Sequence, residues 1–217
     1  MKAMTRRQAV RTILRSAGGL WVVRYLTGCK TPDGGAAGDN GNRNDNAPDP
    51  ALLRLASDDH VQGDAESANV IIQYGDFESA ACGEFFLQNE PAVISELVET
   101  GQAAFIFRHF PQALLNPNAR LAAIASECAV DFFEYHDLLF NNPSALTRDD
   151  LIGYAEQVGL APTTFENCLS SGAKVPRVDC DVDSGTQLGV TETPTFFVNG
   201  QVLVGNRTLE DFQALLV

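Results

Sequence analysis

Acidic residues are absent from the first 28 positions, which carry Lys2, Arg6, Arg7, Arg11, Arg15 and Arg24, whereas the rest of the 217-residue chain holds all 28 acids against nine bases. Removing that segment moves the net charge from −13 to −19, a boundary abrupt enough to mark a targeting segment. Long apolar runs are lacking there too. The longest uncharged stretch of the segment, Ser16 to Val23, has eight residues, and a membrane-spanning helix needs about 20, which argues against a transmembrane anchor. No phosphate-binding glycine loop and no Ser-His-Asp arrangement is visible. The three histidines, His60, His109 and His136, are scattered, and no Cys or His spacing matches a zinc site, so neither a cofactor nor a metal is expected. The scarcity of bases argues against nucleic acid and against anionic membrane surfaces as electrostatic partners.

What the first segment does contain is a twin-arginine-like run, Thr5-Arg6-Arg7-Gln8-Ala9-Val10-Arg11, in which Ala9 stands where that export signal prefers a bulky apolar residue; an ordinary basic leader remains the alternative. Leu26-Thr27-Gly28-Cys29 resembles the bacterial lipobox, with small residues before a cysteine that receives lipid. Residues 1–28 therefore read as a signal peptide and Cys29 as a lipidation site holding the protein at the membrane, in the cell envelope on the periplasmic side. The sequon Asn206-Arg207-Thr208 carries no meaning in such a bacterial lipoprotein. From Lys30 to about Asp49 the chain is rich in Gly, Asn, Asp and Pro and cannot form a core. Residues 29–58 are expected to be a flexible tether with an r.m.s. reach of roughly 30 Å.

Residues 59–217 read as one domain. Val70-Ile71-Ile72-Gln73-Tyr74 is β-rich, and Cys82 opens a helical pattern through Phe85, Phe86, Val93, Ile94, Leu97 and Val98, in which Pro91 predicts a kink. Ala103 to His109 predicts a second strand, at a spacing that suits a parallel crossover. An all-helical insertion follows over about 118–172. Its first helix puts Leu121, Ile124, Ala125 and Cys128 on one stripe, and Thr147 to Asp150 and Thr163 to Glu166 predict capping boxes. Val178, Val182 and Leu188 mark a further helix. Asn199-Gly200 between two β-runs is a strong hairpin signal, and Thr208 to Asp211 caps a last helix. The order β-α-β, helical insertion, α-β-β-α predicts an α/β fold with a central mixed sheet covered by helices on both faces.

These segments resemble the DsbA-like thioredoxin family. The resemblance covers about Asp59 to Val217. It rests on three anchors taken together, Tyr74-Gly75-Asp76-Phe77-Glu78, His136-Asp137-Leu138-Leu139-Phe140 and Thr193 to Gly200. It implies a thioredoxin-like fold with a helical insertion and a site at a helix N-terminus, where backbone N–H groups and the helix dipole stabilise a thiolate. In the family a first cysteine attacks a substrate disulfide and a second resolves the mixed disulfide.

Carried onto this chain, the motif becomes Ser79-Ala80-Ala81-Cys82. Ser79 takes the attacking position, and a hydroxyl cannot exchange with a disulfide. The resemblance also places Gln73 where the family usually has a buried acid that relays protons, and an amide cannot do so. Ser79 reads either as a helix N-cap or as a hydrogen-bond donor to a thiol. Thr193-Pro194 resembles the family's cis-proline turn, which offers backbone groups to an extended peptide, so these two are the expected substrate-binding residues. Cys128 and Cys168 lie where relatives with this insertion carry cysteines, which implies a disulfide between them; Cys82 and Cys180 are left without an obvious mate, and their pairing with each other stays open. His136, among Phe132, Leu139 and Phe140, reads as a core residue.

The function expected is binding of exported polypeptides or of a membrane-associated partner without ordinary dithiol exchange. The alternatives are a glutathione-type thiol transferase using Ser79, a one-cysteine reductant using Cys82, or an oxidoreductase with an unconventional pair.

Overall fold

A computed structural model describes residues 52–217. The expectations for residues 1–28, for Cys29 and for the tether up to Ala51 lie outside the described residues; the rest of the expected tether, residues 52–58, is packed on the domain, with Leu52, Leu53 and Leu55 against the sheet and the Leu52 and Arg54 carbonyls bonded to Arg108. β2 (Val70–Gly75) and β3 (Ala104–His109) pair in parallel from Val70↔Ala104 to Gly75↔His109. β4 (Thr195–Val198) runs antiparallel to β2 and turns through Asn199-Gly200 into β5 (Gln201–Val204). Both turn residues have positive φ, 50° and 84°, the conformation for which Asn-Gly is suited. β1 (His60–Gln62), absent from the expected order, pairs antiparallel with β3 and completes a five-stranded mixed sheet, β1-β3-β2-β4-β5.

Both sheet faces are covered, so the central strands read as nearly continuous apolar runs. On one face Ile71, Phe105, Phe196 and Val198 pack against Phe85, Val93, Leu97 and Phe212. On the same face Phe107 joins Phe77 and Cys82 in a cluster with the insertion. Ile72, Tyr74, Ile106 and Phe197 form the other face with Leu188 and Val190. Helices α1 (Ala80–Gln88) and α2 (Glu90–Val93), the latter running into a π-helical segment Ile94–Val98, link β2 to β3. Pro91 therefore starts a new helix instead of kinking a single one: α1 ends at its C-cap Asn89, and Pro91 sits in the first turn of α2, where its missing N–H costs nothing.

Four helices make the insertion, α3 (Ala119–Ser126), α4 (Phe132–Asn141), α5 (Arg148–Gln157) and α6 (Pro162–Ser171). α3 stops before Cys128, and its fully buried positions are the small residues Ala119, Ala122, Ala123, Ala125 and Ser126; Leu121 and Ile124 are only partly buried. The Thr147–Asp150 capping box forms. The second expected box does not: α6 begins at Pro162 after Ala161, which places Thr163 inside the helix. α7 (Val175–Gln187) follows, and α8 (Leu209–Gln213) ends the chain, with Asp211 accepting from the Thr208 N–H at 3.0 Å. Along α7 the buried stripe is Val178, Asp181, Gly185 and Leu188. A Cβ at Gly185 would come within 2.7 Å of the Phe110 ring, so the glycine lets α7 approach the sheet closely.

Candidate functional site: a serine-capped helix terminus beside a cis proline

Ser79 ends the turn after β2 with extended backbone (φ −74°, ψ 123°) and caps α1. Its Oγ accepts from the Cys82 N–H at 3.4 Å and donates to the Thr193 carbonyl at 3.3 Å. The hydroxyl thus joins the helix terminus to the Thr193-Pro194 peptide, which is cis. The N-cap reading of Ser79 is met in the geometry, and the same side chain also hydrogen-bonds the Cys82 thiol. Ser79 is half-buried, Ala80 exposed, and Thr193 and Pro194 buried.

Cys82 faces inward from the first turn of α1 and is 0% exposed. Burial pushes its thiol up to about 11, with hydrogen bonding to the Asp76 backbone, Ser79 and Thr193 opposing only part of the shift. The pairing of Cys82 with Cys180 does not occur, because Cys82 is a free thiol. Cys128 and Cys168 are joined, with Cα atoms 5.9 Å apart, linking the residues just beyond α3 to α6.

Gln73 lies on the sheet face that α1 covers, in register between Phe107 and Phe196. It is 0% exposed, and neither its Oε1 nor its Nε2 has a hydrogen-bond partner among the described residues. The structure therefore brings Ser79, Cys82, Thr193 and Pro194 together and sets Gln73 in the apolar layer beneath α1, without a polar connection to them.

A polar clamp that the sequence did not reveal surrounds these residues. The buried Asp76 carboxylate accepts from the Glu78 and Gln112 backbone N–H groups and from Asn116 Nδ2 at 2.8–2.9 Å. Burial pushes its pKa up, and these hydrogen bonds work the other way. Glu78 accepts from the backbone and side chain of Asn118. Gln112 reaches across to the Thr191 carbonyl at 2.9 Å and accepts from the Thr193 hydroxyl at 3.4 Å. Between these fixed points the loop presents Leu114 and Leu115, 103% and 75% exposed.

The histidines are not all scattered. His60 and His109 both meet Glu127, their Nε2 atoms 2.7 and 3.1 Å from one carboxylate oxygen. Burial alone would raise the pKa of Glu127, but the hydrogen bonds and charge of the two imidazoles hold its carboxyl well below the usual range. His136 is packed in the core as expected, 0% exposed among Phe77, Phe86, Phe107 and Phe140.

A thioredoxin-like sheet with a helical insertion, a site at the N-terminus of the first long helix and a cis proline beside it define the class. Residues 56–217 match the family described as Thioredoxin, and the chain belongs to that family. The fold is that of its DsbA-like members. alpha-DsbA1 of Wolbachia pipientis superposes with a TM-score of 0.67 at 24% identity, over 76% of this chain and 92% of that one. Oxidised BdbD of Bacillus subtilis gives 0.61 at 21%, over 77% and 90%. A thioredoxin-like oxidoreductase of Silicibacter pomeroyi gives 0.63 at 18%, over 81% and 95%. In sequence, the chain is 38% identical over 159 residues to a protein named Na(+)/H(+) antiporter NhaA 1 of Salinispora arenicola, across 72% of this chain and 24% of that one. It is 33% identical over 163 residues to an NhaA of Herminiimonas arsenicoxydans, across 73% and 25%. The chain thus spans about a quarter of the length of these relatives.

Proposed function

We propose that this is an extracytoplasmic, lipid-anchored member of the thioredoxin family that binds exported polypeptides or a membrane-associated partner beside Pro194 and performs no dithiol exchange. The observation that carries the reading is the state of the helix terminus. The position that needs a thiolate holds a hydroxyl already used as a cap, and the thiol of Cys82 beside it is buried and protonated. With a pKa of about 11, roughly one Cys82 in a thousand is ionised at pH 8, and the thiolate is the nucleophile in disulfide exchange. Partner binding is supported by the two exposed leucines held on the clamped loop between Gln112 and Asn116, since a fixed apolar edge is what a docking peptide uses. The likeness to longer proteins named as antiporters supports a partner in the membrane, as does the expected lipid at Cys29.

The test is disulfide exchange by the purified protein. Wild type should neither reduce insulin nor oxidise a dithiol peptide. Ser79→Cys should form a disulfide with Cys82, because the activating helix terminus is retained, and Gln73→Glu added to it should raise its rate. Robust wild-type exchange that survives Cys82→Ala would overturn the reading, and activity that Cys82→Ala abolishes would favour the one-cysteine enzyme. Membrane fractionation checks the anchor: Cys29→Ala should release the protein or leave it unprocessed, and unchanged retention of correctly cut protein would refute lipidation.

A further inference from the structure

We propose that His60, His109 and Glu127 form a site for one divalent transition metal of the zinc class, tying the edge strand β1 to β3 and to the end of α3. Three potential ligand atoms, one from each residue, lie within 4.8 Å of one another. Two of the three separations, 2.7 and 3.1 Å, are close to the roughly 3.3 Å between ligand atoms of a tetrahedral zinc with bonds of about 2.0–2.1 Å. Small side-chain movements would bring the three atoms to the separations such an ion requires.

Each ligand is held before any ion arrives. The His60 ring stacks on Phe132, with centroids 3.6 Å apart and planes 6° from parallel. His109 is 1% exposed, with its ring edge-on to Phe107 and Phe132 and its backbone N–H donating to Asp181 at 2.9 Å. Glu127 caps the C-terminus of α3, next to disulfide-bonded Cys128. Such pre-positioning reduces the ordering cost of binding.

The charges around the site leave room for a cation. The Glu127 side chain is 4% exposed, and its ion-pair and hydrogen-bond partners among the described residues are the two imidazoles. The nearby guanidinium groups are engaged elsewhere, Arg108 with Asp59, and Arg177 with Asp58, Asp59 and Asp181. Two nitrogen donors select zinc-like ions over calcium and magnesium, which take oxygen ligands. The His60 side chain is 23% exposed, so water can reach the site and complete the coordination.

The full chain, stripped with chelator, should be titrated with zinc chloride by calorimetry and with cobalt(II) by visible absorption. One equivalent of zinc should bind, cobalt should give the intense bands of a tetrahedral complex, and calcium should not compete. Losing a residue that merely hydrogen-bonds a metal ligand costs about 10–100-fold in affinity, so losing a ligand itself, in His60→Ala or Glu127→Gln, should weaken zinc by at least about 100-fold. Cys82→Ala should bind zinc as wild type does. His60 lies at the partly exposed sheet edge, so that variant decides the matter if Glu127→Gln misfolds. Wild-type binding no tighter than that of His60→Ala, or binding lost in Cys82→Ala, would overturn the proposal and leave the three residues a hydrogen-bonded cluster.

Discussion

At the residue scale, Cys82 shows burial outweighing position. A helix N-terminus favours a thiolate, yet enclosure among Phe77, Phe107 and the insertion raises the pKa from 9.0 to about 11. The folded protein therefore holds this proton more tightly than the unfolded chain. The stability so contributed is complete below pH 9 and is lost as pH climbs towards 11. In urea denaturation, the stability advantage of wild type over Cys82→Ala should shrink between pH 9 and 11; a difference independent of pH would refute a buried thiol. Gln73 offers a complementary test. Its buried amide lacks partners among the described residues, and an unsatisfied buried polar group costs about 1–3 kcal/mol. Gln73→Met, close to it in size, should raise the unfolding free energy by about 1–2 kcal/mol, whereas a loss would mean that the amide is hydrogen-bonded in solution.

At the element scale, the Cys128–Cys168 bond closes a 40-residue loop of the insertion. The chain-entropy relation assigns such a loop about 4 kcal/mol. The double variant Cys128→Ala/Cys168→Ala should lose about that much in chemical denaturation, while near-normal stability would show that packing among α3 to α6 suffices. Much of this level was legible in the sequence. The runs Val70–Tyr74 and Thr195–Val198, the Asn199-Gly200 hairpin and the Thr147–Asp150 box are local signals, each carried by adjacent side chains. What stayed hidden was set by distant partners. β1 has three residues and becomes a strand only by pairing with β3. Asp181, a charged residue outside the Val178, Val182 and Leu188 set that marked the helix, is buried beside His109. The Pro91 kink and the Thr163 cap failed because neighbouring prolines could start helices at those points. At the site, Ser79, Cys82 and Pro194 were readable from motif order. The Asp76 clamp and the meeting of His60, His109 and Glu127 were not, since their spacing along the chain has no period.

At the scale of the whole molecule, the sheet is closed on its β1 side by a buried ion pair. The Arg108 and Asp59 side chains are 5% and 1% exposed and meet at 2.9 Å. Removing one member of such a pair strands the other charge and costs about 3–5 kcal/mol. Asp59→Ala should lose stability on that scale in urea denaturation, and a loss below about 1 kcal/mol would mean that water already reaches Arg108. The guanidinium does more than pair with Asp59: four of its hydrogen bonds go to residues 52–59, at Leu52, Arg54 and twice at Asp59. A tensile load entering the domain from the N-terminal side of Leu52 would therefore meet this fork before it reached β1. The domain's mechanical strength along that direction then draws on a cation that shares its hold between backbone and carboxylate. That hold is backed by Arg177 at Asp58 and Asp59 and by Leu52, Leu53 and Leu55 packed on the sheet, and single-molecule pulling should find the first rupture in this segment.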